Sequence, residues 1–98
     1  MKILALERPV PDVADEAFTP DLLREEASRA WDLHQSGKLR ELYFRADRTE
    51  AVLVLEAEDL SSARRVLEQL PLVSRRLIDF ELVPLVAYPG FARLFGDR

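Results

Sequence analysis

Five apolar residues in succession, Ala51-Val52-Leu53-Val54-Leu55, place the tightest constraint on what this chain can fold into. Successive side chains of a strand point to opposite faces, so an unbroken apolar run implies a strand covered on both sides. Asp59 follows as the cap of a helix in which Leu60, Ala63, Val66, Leu67 and Leu70 form an apolar stripe, and Pro71 ends it. Before the run, Ala46 to Glu50 make a polar turn, and Lys38 to Arg45 read as another strand. Plain alternation there sets Leu39, Glu41, Tyr43 and Arg45 on one face, with Arg40, Leu42 and Phe44 on the other. Upstream again, Thr19-Pro20-Asp21 starts a helix with a hydroxyl cap, a proline in the first turn and a carboxylate beside it. Leu23, Ala27, Ala30, Trp31 and His34 recur on one face of that helix, and Gly37 stops it.

Met1 to Glu7 add a first strand, and LIDFELVPLV a last one in which Ile78, Phe80 and Leu82 alternate with Asp79 and Glu81. The segment Arg8 to Pro20 carries Pro9, Pro11 and Pro20, which makes it a loop long enough to serve as a lid. The order is β-α-β-β-α-β, the split pattern of ferredoxin-like α+β folds: a four-stranded antiparallel sheet with two helices on one face. At 98 residues this is one domain, spanning 1–98. The uncovered sheet face calls for a second copy, hence a homodimer or a higher homo-oligomer built from dimers. The tail residues Phe91, Leu94 and Phe95 are expected to pack on a neighbouring subunit.

Composition narrows the function. There is no cysteine and His34 is the one histidine, so disulfides, thiolate chemistry and a multi-histidine metal site within the chain are excluded. Fourteen basic against 18 acidic side chains leave a net charge of −4, which argues against a nucleic-acid partner. No apolar run reaches the roughly 18 residues of a membrane span. These features describe a cytoplasmic type of domain with no membrane partner.

The stretch from Glu25 to Leu72 resembles the muconolactone delta-isomerase family. The likeness lies in the acidic first helix ending at Gly37, the Leu-aromatic strand, the helix closing in Leu70-Pro71-Leu72, and the Ile78-Asp79-Phe80 strand. The resemblance implies a dimeric α+β barrel and an isomerase-like activity on a small, anionic organic molecule without metal or cofactor. It also maps the family's first-helix acid onto Glu26. This chain has Ala27 where the isomerases carry a lysine, Leu39, Glu41 and Tyr43 where they carry bulky aromatics and a histidine, and Tyr88-Pro89 for His-Pro.

Moving a double bond beside a carbonyl needs a group that removes and returns a proton, donors for an enolate oxygen, and a cation for an anionic substrate. Glu26, His34 and Glu41 are the candidate bases. Tyr43 is the candidate donor, Arg45 and Arg48 the candidate anchors, and Trp31 a candidate wall. Tyr43 and Arg45, two apart on one strand, are expected to line a cavity between the first helix and the sheet. Each residue also has a plainer role. Glu26 is a solvated helix carboxylate, His34 a packing or capping residue, Glu41 and Arg45 members of ion pairs, and Asp79 with Glu81 an edge feature. Two rival readings remain at this level: a non-catalytic ligand-binding or assembly module, and a cofactor-free monooxygenase.

Overall fold

The computed structural model describes residues 1–96. Its elements run β1 (Lys2–Pro9), α1 (Pro20–Gln35), β2 (Leu39–Phe44), β3 (Ala51–Glu56), α2 (Leu60–Leu67), α3 (Pro71–Ser74) and β4 (Ile78–Pro84), with single 3-10 turns at Asp15–Ala17 and Gly90–Leu94. The strands form one antiparallel sheet in the order β2-β3-β1-β4. This is the expected ferredoxin-like α+β arrangement, with the one-turn α3 added. Pro71 therefore opens a further turn of helix and does not merely close α2.

The core lies between the sheet and the helices. Ile3 and Ala5 of β1, Leu53 and Leu55 of β3, and Ile78 and Phe80 of β4 point toward Leu22 and Leu33 of α1, Ala63, Val66 and Leu67 of α2, and Leu72 and Val73 of α3. The Ile78-Phe80-Leu82 stripe thus serves the chain's own helices. The opposite face carries Leu4, Leu6, Val52, Val54 and Val83, all half-buried.

Both helix starts are as the capping residues dictate. The Thr19 hydroxyl accepts from the Leu22 N–H at 3.2 Å, and the Asp59 carboxylate from the Ser62 N–H at 2.7 Å. Gly37 ends α1 in the left-handed region at φ 80°. The buried stripe of α1 is rotated from expectation: Leu22 and Leu33 go into the core, while Leu23 and Trp31 stay exposed. The loop after β1 is shorter than expected. Arg8 and Pro9 belong to the strand, paired with Asp79 and Ile78, and Phe18 packs against the core.

One irregularity re-aims β2. Leu39 pairs with Leu55, but Glu41, two residues later, pairs with the adjacent Val54. The extra residue is a β-bulge, and it breaks plain alternation. Beyond it Leu42 and Phe44, opposite Leu53 and Ala51, share the helix-facing side with Leu39, whereas Glu41 and Tyr43, opposite Val54 and Val52, face away.

Candidate functional site

Between α1 and the β2 side of the sheet lies a cavity of about 480 Å³, within the range of small-molecule sites. Leu23, Glu26, Ala27 and Ala30 of α1 form one wall, and Leu42 and Phe44 of β2 the facing one. Leu53 and Phe80 lie on the sheet floor, Leu70 and Leu72 contribute from the α2–α3 junction, and Tyr43 borders the cavity. Two carboxylates, Glu7 and Glu26, interrupt this apolar lining. No lysine, arginine or histidine joins them among the described residues.

Glu26 sits on α1, one turn on from the buried Leu22. Its Oε1 accepts the Leu72 N–H at 2.9 Å. That N–H is one of the unpaired donors at the start of α3, whose cap residue Leu70 has no side-chain oxygen to offer, so α1 caps α3 across the cavity wall. Glu7 occupies the helix-facing register of β1, opposite Phe80, and its Oε1 accepts the Ala51 N–H at 2.8 Å. Burial pushes the Glu26 carboxyl above the ordinary carboxylate range against the pull of the Leu72 N–H, and the charges of Glu7 and Glu25 push it further. Burial also raises Glu7, opposed by the Ala51 N–H and reinforced by Glu50. The site thus holds two carboxyls of raised pKa in an otherwise apolar cavity.

The other residues singled out from sequence go elsewhere. Tyr43 lies beside the cavity, but its hydroxyl donates to Glu41 Oε1 at 2.7 Å on the far face of the sheet, and this hydrogen bond raises the phenol pKa. Arg45 is past the end of β2, where its backbone N–H bonds Glu50 O and its guanidinium forks onto Asp47 at 2.8 and 2.6 Å. Arg48 pairs with Glu50 at 2.9 Å. Both arginines line a second cleft of about 430 Å³, with Arg8, on the β1–β3 side of the hairpin. The expected pairing of Tyr43 with Arg45 in the main cavity is therefore not formed, because the bulge turned the strand and the hairpin took the arginine.

His34, in the last turn of α1, donates from Nδ1 to Leu39 O at 2.8 Å, a tie between helix end and strand start. Trp31 is 61% exposed and packs on the His34 ring at 6.3 Å between centroids. Of the candidates, Glu26 and Tyr43 reach the cavity, and Glu41, His34, Arg45, Arg48 and Trp31 are not among its described lining. Glu7 was missed. The signal was available: in KILALE it is the one charged side chain in phase with Ile3 and Ala5.

Comparison with known proteins fits this picture. Nine chains of solved structures match, among them the crystal structure of muconolactone isomerase at 3.3 Å resolution. That structure superposes with a TM-score of 0.70 over 91% of this chain and 92% of the other, at 24% identity. No curated protein gives a significant match. No helix among the described residues is long and apolar enough to cross a membrane. The muconolactone delta-isomerase family model matches residues 4–90, most of the chain, and with it the protein belongs to the muconolactone delta-isomerase family.

Proposed function

We propose that the protein is a cofactor-free, isomerase-like catalyst that shifts a proton within a small carbonyl compound held in the cavity. The observation that carries this is the pair Glu7 and Glu26 on the wall of an otherwise apolar cavity. Glu26, ionised, removes a proton from the carbon next to the carbonyl, and the electron pair passes to the carbonyl oxygen. Glu7, protonated, donates a hydrogen bond to that developing enolate oxygen. Glu26 then delivers a proton, exchangeable with solvent while it sits on the carboxyl, to the far carbon of the enolate, so the double bond moves and both carboxyls regain their starting states. A raised proton affinity favours proton removal by Glu26 and hydrogen-bond donation by Glu7. An anionic substrate, as expected from sequence, finds no counter-charge in the described lining, since Arg45 and Arg48 lie in the second cleft.

The assay is deuterium incorporation from D₂O into a panel of small β,γ-unsaturated ketones and lactones, followed by NMR. Exchange at the carbon next to the carbonyl should exceed the buffer rate and fall about 10²–10⁴-fold in Glu26→Gln. A wild-type rate equal to buffer across the panel would leave the binding-module reading, which the missing helix lysine at Ala27 favours.

The same reading includes a homodimer through the open sheet face. The half-buried Leu4, Leu6, Val52, Val54 and Val83 supply an apolar centre for it. The single chain exposes 7131 Å², against about 5,700 Å² for a compact monomer of this mass. The tail is exposed as well, with Phe91 at 68% and Leu94 at 73%, and a neighbouring subunit is its natural cover.

A further inference from the structure

We propose that the cavity between α1 and β2 is built for a hydrophobic organic cation, a molecule carrying an ammonium group on an apolar body. The inference rests on the reading of this cavity as the substrate site, though not on turnover. Glu7 and Glu26 are the only charged residues among its described lining, and both are acidic. Each makes a single hydrogen bond among the described residues, from Ala51 N–H or Leu72 N–H, both to Oε1. A carboxylate has about four acceptor positions, so each retains capacity for an ammonium donor. Phe44 and Phe80 also line the cavity, and an aromatic face attracts a cation and repels an anion. Glu7 acts on Glu26 across the apolar space. A bound cation favours the ionised form of both, so Glu7, protonated in the empty cavity, releases its proton to solvent as the ammonium binds, and a bound anion disfavours that ionisation.

The cations that would argue otherwise are placed outside. Arg8, Arg45 and Arg48 line the second cleft, and each is tied to a carboxylate there: Arg8 to Glu81, Arg45 to Asp47, Arg48 to Glu50. The α1 wall that could have carried a cation presents Ala27 and Ala30 instead. Charge selection in this cavity is therefore one-sided.

The test uses three probes of one skeleton, cyclohexylmethylammonium, cyclohexylmethanol and cyclohexanecarboxylate, titrated calorimetrically into the full-length protein at neutral pH and low salt. The cation should bind tightest and exceed the anion by about tenfold or more. In Glu7→Gln and Glu26→Gln, which keep an oxygen for the backbone N–H, the order cation over neutral should shrink toward unity while circular dichroism shows the fold intact. A cation no tighter than the neutral probe, an anion that binds best, or no binding by any of the three overturns the proposal. Loss of the exchange activity with the cation preference intact would sink the isomerase reading alone.

Discussion

Glu26 carries a structural load on the Leu72 N–H and, in the proposed reading, a chemical one in the cavity, and two substitutions pull them apart. Glu26→Gln keeps an oxygen for the N–H and removes the charge; Glu26→Ala removes both. The difference between the two variants isolates the hydrogen bond at the uncapped start of α3, worth about 1 kcal/mol at a half-buried site. For a domain of this length that is about 4–8 °C in Tm, with Ala the lower. The charge has its own signature. Because the folded carboxyl holds its proton more tightly than the ordinary value of 4.5, stability is highest below pH 4.5. It falls as pH rises through the folded pKa, then levels off. In Glu26→Gln that loss disappears, so its Tm should match wild type in acid and exceed it near neutrality. Thermal melts by circular dichroism across pH 3.5–8 read both effects, and the exchange assay reads the chemistry. A Gln variant that melts as low as the Ala variant, or that gains nothing above pH 4.5, would refute the account of this residue.

Other substitutions probe the remaining claims. Val54→Asp on the open sheet face should convert an oligomer into monomers in sedimentation velocity, and a wild type already monomeric at micromolar concentration would end the dimer proposal. Truncation after Pro89 should lower the oligomeric order or the Tm, since it removes Phe91, Leu94 and Phe95 together. Arg45→Ala should leave exchange activity and Tm nearly unchanged, because its fork to Asp47 is a solvent-screened surface ion pair. Leu67→Ala, at a fully buried position of α2, should cost about 2–5 kcal/mol by urea unfolding.

The architecture was legible because apolar spacing and capping agreed at every element: Thr19, Asp59 and Gly37 sit where α1 and α2 begin or end. Packing direction was less legible. The apolar residues of α1 are spread widely enough that two stripes one position apart compete, and the core chose Leu22 and Leu33 over Leu23 and Trp31. The site was half legible. Glu26 could be placed on α1, but its partner Leu72 is 46 residues away and no local pattern joins them. Tyr43 and Arg45 were paired by strict alternation, which holds only within an unbroken strand; a strand that ends at Phe44 and a hairpin acid at Asp47 separated them. Glu7 is obscured for the opposite reason: a single acid closing a short apolar strand has the pattern of a strand boundary.

The irregular pairing in β2 leaves the protein one residue of slack in its chain length. Leu39, Leu42 and Phe44 stand on one side only because an additional residue lies between Leu39 and Glu41. Removing Arg40 would restore ordinary alternation with the same three side chains facing α1, so the wall of the cavity would survive the shortening. Removing Leu42 instead would carry Tyr43 into its place opposite Leu53 and turn Phe44 outward. A phenol would then face the two carboxylates. Chain length at one point of an edge strand thus selects between an oily wall and a hydrogen-bonding one, a change of chemistry reached by deletion with no new side chain introduced.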